Sequence, residues 1–278
     1  MFTINCKGRL LSLESPLVMG IINATPDSFY EGSRFMGGEN ILREAEKMLA
    51  EGADILDIGG QSTRPGSIQL AEDEELKRVT GPIELLQKNF PEAIISIDTY
   101  QSRIAKQAVA AGASIVNDIS GGNLDAAMLS TVGKLKVPYI CMHMQGKPQT
   151  MQKEPYYENV TREVLDFFIR RIDECKKAGI HDVIIDPGFG FGKTIAHNFE
   201  LLKNLTVFKI LERPVLLGVS RKSTIYKTLG VSAKEALNGT TVLNTIGLMN
   251  GANILRVHDV KEAKEAVRLY TRMKDISR

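Results

Sequence analysis

The feature that most constrains the fold is an eightfold alternation of short apolar runs with longer stretches of helical pattern. Each run is apolar on both faces and ends at or beside a polar residue, which is typical of a parallel strand buried between two layers. Eight strand–helix units in 278 residues predict an α/β fold, a (β/α)8 TIM barrel, in a single domain spanning residues 1–278. The predicted strands are Leu17–Ile22, Ile55–Ile58, Ala93–Ile97, Ser114–Val116, Val137–Met142, Val183–Ile185, Pro214–Val219 and Asn253–Leu255.

The stretches between these runs carry the spacing of amphipathic helices. In the first of them Ile41, Ala45 and Met48 fall on one stripe. An open, doubly wound sheet is the alternative, but it would need fewer strands, and no composition shift marks a second domain. The clearest helical stretches are 40–51, 74–89, 101–111 and 160–178, and glycines that favour a left-handed helix end follow at Gly52, Gly112 and Gly179.

Charge and cysteine content exclude several classes of protein. The net charge is only +2, which gives no bulk attraction to nucleic acid or to anionic membranes. The three cysteines are far apart in the sequence and lack metal-ligand spacing, so we expect thiols in a reducing compartment. Residues 1–16 lack the apolar segment of a signal peptide, and we expect a cytoplasmic protein.

Polar residues of several chemical types stand at the ends of the predicted strands. In a barrel these ends meet at one mouth, where active sites are built. Cationic side chains could surround an anion there, while Asp98, Asn117 and Asp186 could bind the edge of a planar, amide-rich heterocycle. The full set is Asn23, Asp57, Asp98, Asn117, Asp118, His143, Asp186, Lys222, Arg256 and His258, with Arg64 in a loop nearby.

The glycine-rich stretch after Asp186 partly matches two nucleotide-binding motifs but satisfies neither. It is not a phosphate-binding P-loop, because Pro187 occupies the first required glycine position. It is not a dinucleotide fingerprint either, because Lys193 occupies the third. We interpret His143, His181 and His197 as scaffold or surface residues.

Two long connections, 25–38 and 60–73, follow the first two strands and are rich in Gly, Ser and Pro. We expect both to be mobile loops above the barrel mouth.

Taken together, the motifs are similar to those of bacterial dihydropteroate synthases, in the same order from about residue 17 to residue 262. The resemblance implies a (β/α)8 barrel of folate biosynthesis, a sulfonamide target and usually a homodimer. Such enzymes join 6-hydroxymethyl-7,8-dihydropterin diphosphate to p-aminobenzoate and release pyrophosphate, with Mg²⁺. The motifs are Met19–Phe29, Asp57–Gly66, Ser96–Thr99, Asn117–Ile119, Met142–Gly146, Asp186–Lys193, Ser220–Ser223 and Arg256–Val260.

The resemblance also implies a role for each matched residue. Catalysis would fall to Arg256, His258, Lys222 and Asp98. The pterin would contact Asp98, Asn117, Asp186, Lys222 and Arg256. The diphosphate would contact Asn23, Thr63, Arg64, Arg256 and His258, with Mg²⁺ on Asn23. The p-aminobenzoate and the lid over it would involve Phe29, Thr63, Arg64, Pro65, Phe191 and Ser223.

Two departures from the family pattern stand out. Gln61 replaces a usual glutamate, and the first loop continues Phe29-Tyr30-Glu31 in place of the usual Ser-Asp-Gly-Gly sequence. A pterin-dependent methyltransferase and a non-catalytic pterin-binding barrel are the alternatives, although neither needs the residues on the anion side.

Overall fold

The computed structural model describes residues 2–24, 34–61 and 70–276. Within these ranges eight parallel strands form one sheet in the order β8-β7-β6-β5-β4-β3-β10-β9. A parallel bridge between Ile185 and Val215 joins the two ends of that order, so the sheet closes into the predicted barrel. All eight predicted strands are present. The strands are β1 Thr3–Cys6, β2 Arg9–Ser12, β3 Leu17–Asn23, β4 Ile55–Gly59, β5 Ile95–Asp98, β6 Ile115–Asp118, β7 Tyr139–Met142, β8 Val183–Asp186, β9 Leu216–Leu217 and β10 Ile254–Val257.

The helices surround the barrel and cover the outer face of its strands. One apolar cluster fills the space between strands and helices and includes Val18, Leu56 and Ile97. Alternate residues of the same strands point into the barrel, where Met19 and Ile55 belong to a second cluster. The α-helices are α1 Arg34–Glu51, α2 Glu72–Asn89, α3 Ser102–Ala111, α4 Met128–Leu135, α5 Val160–Lys177, α6 Ile195–Lys203, α7 Ser223–Leu229, α8 Leu237–Met249 and α9 Val260–Ile276.

An antiparallel hairpin of β1 and β2, absent from our sequence-based prediction, lies against the amino-terminal end of the barrel. Its turn is Lys7–Gly8, with both residues at positive φ. Ile4 and Cys6 are buried in the interior cluster, so the hairpin packs under the barrel. The signal was present in the sequence as an alternation of apolar and polar residues before a glycine, but it was only four residues long.

Helix α1 starts at Arg34, six residues before the predicted start at Asn40. Consecutive glycines suggested a loop there, since glycine is a poor helix former. Close packing explains the glycine at position 38, because a Cβ there would lie 3.2 Å from Leu85 of the neighbouring helix α2. The predicted glycine helix ends are confirmed, with positive φ at Gly52, Gly112 and Gly179.

The remaining parts of the two long connections, 25–33 and 62–69, lie outside the described residues, and their expected mobility stays a prediction. None of the helices in the described ranges combines the length and apolar character needed to cross a bilayer.

Candidate active site at the barrel mouth

Strand register brings the predicted polar residues to one end of the barrel. Asn23 pairs in register with Gly59, Gly59 with Asp98, and Asp98 with Asn117 across four neighbouring strands. On the opposite side Asp186 ends β8 beside Met142 of β7. The carboxyl ends of parallel strands therefore hold Asn23, Asp98, Asn117 and Asp186 around one opening.

Arg256 of β10 crosses the opening and binds two carboxylates. Its Nε donates to Asp57 Oδ2 at 2.6 Å, and its Nη2 donates to Asp98 Oδ2 at 2.7 Å. Asn117 Nδ2 donates to the same Asp57 oxygen at 3.0 Å. Asp57 is fully buried, and its Oδ1 has no hydrogen-bond partner among the described residues. Asp57 thus organises the arginine and the amide together, a role that the sequence did not reveal.

Burial and like charge act together on Asp98. Burial raises its pKa to about 7, Arg256 opposes the rise, and Asp57 adds to it. Burial disfavours the charged form of Arg256, but Asp57 and Asp98 more than compensate and raise its pKa above the usual value. The guanidinium is therefore always charged, while Asp98 can change its protonation state near neutral pH.

Asp186 has two distinct faces. Its Oδ1 accepts from the backbone N–H of Gly188 at 2.8 Å and so fixes the turn after β8. Its Oδ2 and Lys222 Nζ both lie near Gly218, where a Cβ would sit 3.9 Å from the oxygen and 3.8 Å from the nitrogen. Burial raises the pKa of Asp186, and Lys222 opposes the rise. The carboxylate caps a turn with one oxygen and faces the mouth with the other.

Lys222 stands between this carboxylate and an aromatic ring. Its Nζ donates to the carbonyl of Phe189 at 2.6 Å and lies 4.6 Å from the ring centre of Phe191. Burial lowers the pKa of Lys222 to about 8, although Asp186 favours the charged form. A cation over an aromatic face fixes both groups, so the positions of Lys222 and Phe191 depend on each other.

His258 lies at the rim, just after β10. Its Nδ1 is 3.0 Å from Ser220 Oγ, and its backbone N–H donates to the same hydroxyl at 3.2 Å. Although His258 is exposed by surface area, partial burial of its ring and then Arg256 lower its pKa to about 4, so the imidazole is neutral at pH 7. Arg221, although adjacent to the mouth, is bound through Nε and Nη2 to Asp259 and has a structural role.

The other residues singled out in the sequence differ in where they lie. Ser223 is the first residue of α7, and Asn23 is exposed at the end of β3. Asp118 is satisfied locally by Ser120, Gly122 and Tyr139 and does not serve the mouth. Gln61, at the end of the described part of the second connection, donates from Nε2 to the Tyr100 hydroxyl at 3.0 Å. The remaining predicted residues, Phe29, Thr63, Arg64 and Pro65, lie outside the described residues.

The chemistry of the donor set suits a magnesium ion shared with a bound anion. Within the described ranges no group of three His, Cys, Asp or Glu side chains could hold a metal by itself. Mg²⁺ prefers oxygen ligands and often binds through one or two protein oxygens together with substrate phosphates and water. The amide oxygen of Asn23, exposed at the mouth, fits such an arrangement.

Comparison with known proteins gives a consistent picture. The family described as pterin binding enzyme matches residues 19–258. The dihydropteroate synthase of Haemophilus influenzae is 42% identical over 266 residues, which cover 95% of this chain and 96% of the relative. The crystal structure of Yersinia pestis dihydropteroate synthase with a sulfonamide drug has a TM-score of 0.92 at 39% identity and covers 99% of this chain and 100% of that one. The Xanthomonas albilineans enzyme with 7,8-dihydropteroate has a TM-score of 0.87 at 36% identity, with coverages of 98% and 99%.

Proposed function

The chain belongs to the dihydropteroate synthase family, and we propose that its barrel mouth is where 6-hydroxymethyl-7,8-dihydropterin diphosphate and p-aminobenzoate are joined. One observation carries the proposal: a layer of carboxylate and amide groups at the barrel mouth holds two cations, Arg256 and Lys222, among them. The layer consists of Asp57, Asp98, Asn117 and Asp186 with Arg256 across it. Such a layer suits the hydrogen-bonding edge of a pterin, and the cations suit its diphosphate.

Pterin recognition rests on strand-borne residues. The Oδ2 atom of Asp186 can accept N–H bonds from the amino-pyrimidine edge, while Asn117 can both donate and accept. Asp98, with a pKa of about 7, can serve as donor or acceptor opposite a ring nitrogen. Arg256, held flat by two carboxylates, offers its guanidinium plane for stacking. Lys222 closes the side of the pocket next to Asp186.

The diphosphate belongs at the rim, where Arg256 and His258 would contact it together with Asn23. Mg²⁺, held by Asn23 and diphosphate oxygens, would supply positive charge for the leaving group. His258 is neutral in the free protein, and a bound anion would favour its protonation. Thr63 and Arg64 would add further contacts from the second connection.

The reaction needs no covalent intermediate on the protein. The aromatic amine of p-aminobenzoate is neutral at pH 7 and is itself the nucleophile. The methylene C–O bond breaks with its electron pair passing to pyrophosphate, the new C–N bond forms, and the amine loses one proton to pyrophosphate or water. The electron-rich dihydropterin ring stabilises a cationic methylene, so departure precedes attack in a dissociative displacement. The cations at the rim stabilise the charge that develops on the leaving group.

The second substrate would lie above the pterin. Phe191 would form a wall between the two substrates, and Ser223 would bind the p-aminobenzoate carboxylate. Phe29, Thr63 and Pro65 would complete this site from the two long connections. A relative in this family has been crystallised with 7,8-dihydropteroate, the product that spans both subsites.

Further properties of the whole chain belong to the same proposal. The chain would act as a single barrel domain and as a cytoplasmic protein, consistent with three buried free thiols. It would form a homodimer through α8, whose outer face exposes Val242, Ile246 and Met249 at helical spacing. An apolar stripe of this kind is typical of an interaction surface.

Pyrophosphate release tests the proposed reaction directly. The protein should release pyrophosphate from pterin diphosphate when p-aminobenzoate and Mg²⁺ are present, with dihydropteroate formed in equal amount. Lys203→Met, on the exposed end of α6, provides a control that should behave as the parent protein. A pterin-dependent methyltransferase or a non-catalytic pterin-binding barrel would leave the p-aminobenzoate unchanged, and that result would contradict the proposal.

A further inference from the structure

Five residues of the loop between β8 and α6 have no regular secondary structure, yet each of their carbonyls accepts a hydrogen bond. This segment, Gly188–Gly192, is called the wall loop below. Unpaired backbone groups are costly inside a protein, so such a loop must find donors elsewhere. Five side-chain bonds supply them: Lys193 Nζ to the carbonyls of Gly188 and Phe191, Lys222 Nζ to Phe189, Gln152 Nε2 to Gly190, and the Tyr157 hydroxyl to Gly192. The Gly188 carbonyl also accepts from the backbone N–H of Phe191 at 3.1 Å.

Lys193 contributes two of these five bonds from a position that is only 2% exposed. Its Nζ lies 3.0 Å from the carbonyl oxygen of Gly188 and 3.1 Å from that of Phe191. The same Nζ lies 2.9 Å from His143 Nδ1 and 3.3 Å from the His143 carbonyl oxygen. A single ammonium therefore joins both ends of a loop turn to the end of strand β7.

The backbone of the wall loop packs directly against the backbone of the chain after β7. A Cβ at Gly188 would lie 1.9 Å from the His143 carbonyl oxygen, and one at Gly192 would lie 2.3 Å from the Gln145 carbonyl oxygen. Both glycines have positive φ, which favours glycine further. The wall loop thus lies directly on the chain after β7, and Lys193 binds the two together.

We propose that Lys193 is a positioning residue that holds the Phe191 ring in place through the wall loop. This inference rests on the proposed function, in which Phe191 forms one side of the p-aminobenzoate site. The chain of contacts runs from Lys193 to the Phe191 carbonyl, and from the Phe191 ring to Lys222. Lys193 itself is buried below the loop, so its effect on p-aminobenzoate passes through Phe191.

The charges and burial around Lys193 make the number of its N–H donors depend on pH near neutrality. Burial lowers the pKa of Lys193 to about 7; Asp186 opposes this shift, and Lys222 adds to it. Burial and then Lys193 lower the pKa of His143 well below its usual range, so His143 is neutral and its Nδ1 can accept. A protonated amine has three N–H groups for these acceptors, whereas the neutral amine has two.

A double-mutant cycle on Lys193→Met and Phe191→Ala tests the inference. Methionine keeps the length of the side chain and removes every N–H donor. We expect Lys193→Met to raise the KM for p-aminobenzoate about tenfold and to change the affinity for the pterin, measured by calorimetry, less than about threefold. Strand residues Asn117 and Asp186 hold the pterin, which is why the two substrates should respond differently. In the Phe191→Ala background, Lys193→Met should add less than about twofold, because the two changes act through one element.

Each outcome of the cycle decides a different question. Independent, multiplicative effects of the two substitutions would overturn the positioning role of Lys193. Equal losses for both substrates together with a lower melting temperature would assign Lys193 to stability alone. If Phe191→Ala leaves the KM for p-aminobenzoate unchanged while Lys193→Met raises it, the placement of Phe191 in the proposed function fails instead.

A second variant guards against a protein that does not fold without the lysine. Lys193→Gln keeps two N–H donors on a shorter side chain and should raise the KM for p-aminobenzoate about threefold. Lys203→Met, an exposed lysine at the end of the next helix, should leave both substrates unaffected. A folded Lys193→Gln protein with the parent KM, when the methionine variant cannot be purified, would contradict the proposal.

Discussion

Replacing Asp57 by asparagine should destabilise the protein more at pH 5 than at pH 8. Asp57 and Asp98 share Arg256, at 2.6 and 2.7 Å. The folded-state pKa of Asp98 is raised from 3.8 to about 7, so at pH 5 Asp98 is protonated in the folded protein and Asp57 is the principal counter-charge of the arginine. At pH 8 Asp98 is ionised and can replace it.

The size of the effect follows from the contacts. Hydrogen bonds to a charged group contribute about 1.5–3 kcal/mol, and removing one partner of a buried ion pair costs about 3–5 kcal/mol. Asparagine keeps an acceptor oxygen for Arg256 and Asn117, so we expect a loss near the lower limit, about 3 kcal/mol at pH 5. At pH 8 the loss should shrink to about 1 kcal/mol, because Asp98 supplies the charge and no longer faces a second carboxylate.

The same reasoning fixes the pH dependence of the parent protein. A carboxyl whose pKa is raised on folding holds its proton more tightly in the folded state. Its contribution to stability is therefore greatest below the unfolded-state pKa, near pH 4, and is lost as the pH rises towards about 7. Asp57→Asn removes one cause of the raised pKa of Asp98, so this loss should be smaller in the variant.

Thermal unfolding at the two pH values measures both quantities. For a domain of this size a loss of 1 kcal/mol lowers the melting temperature by about 2–4 °C. Asp54→Asn is the matched control, because Asp54 pairs with Lys264 near the opposite end of the barrel, remote from Asp98. Its cost should be similar at both pH values. A cost of Asp57→Asn that is equal at pH 5 and pH 8, or larger at pH 8, would refute the shared-arginine argument.

Three further predictions concern ligand binding and assembly. Asp186→Ala should weaken pterin binding by about 1–3 kcal/mol in calorimetry, since pterin N–H groups lose an acceptor; unchanged affinity with reduced stability would leave Asp186 as a turn cap only. Pyrophosphate binding, with Mg²⁺ present, should take up a proton and strengthen as the pH falls from 7 towards 5, because the anion raises the low pKa of His258; the same pH dependence in His258→Asn would exclude this histidine. Ile246→Glu on α8 should convert a dimer to monomers in sedimentation, whereas Leu10→Glu, at an exposed leucine of the β1–β2 hairpin, should not; monomers from Leu10→Glu and a dimer from Ile246→Glu would place the interface elsewhere.

The barrel could be predicted from sequence because its signals are local. Each strand is a short apolar run with a polar end, and each helix has its own periodicity. The errors also have local causes. Gly38 suggested a loop because glycine has a low helix propensity. The sequence does not show that this position packs against Leu85. The hairpin at Lys7–Gly8 was too short to stand out from its surroundings.

The composition of the mouth was predictable, but its internal pairing was not. Strand-end positions placed Asp98, Asn117, Asp186 and Arg256 at one opening by topology alone. The ion pair between Arg256 and Asp57 depends on the directions of their side chains across the barrel. These residues are 199 positions apart in the sequence. In the sequence Lys193 is notable only because it occupies the third glycine position of a dinucleotide fingerprint. Its contact with His143 depends on the packing of the loop after β8 against the chain after β7, which the sequence does not show.

Because Asp57 pairs with Arg256, the site can form only after the last strand of the barrel has been synthesised. The ribosome releases the chain from its amino terminus, and a domain folds as a unit. β4 and β5 emerge early, but the cation that neutralises their two carboxylates comes with β10, the last strand of the barrel. Until β10 inserts between β3 and β9, Asp57 and Asp98 are adjacent negative charges with no guanidinium between them. Pterin binding is therefore a property of the finished chain, and a pterin analogue added during translation should stabilise only full-length protein.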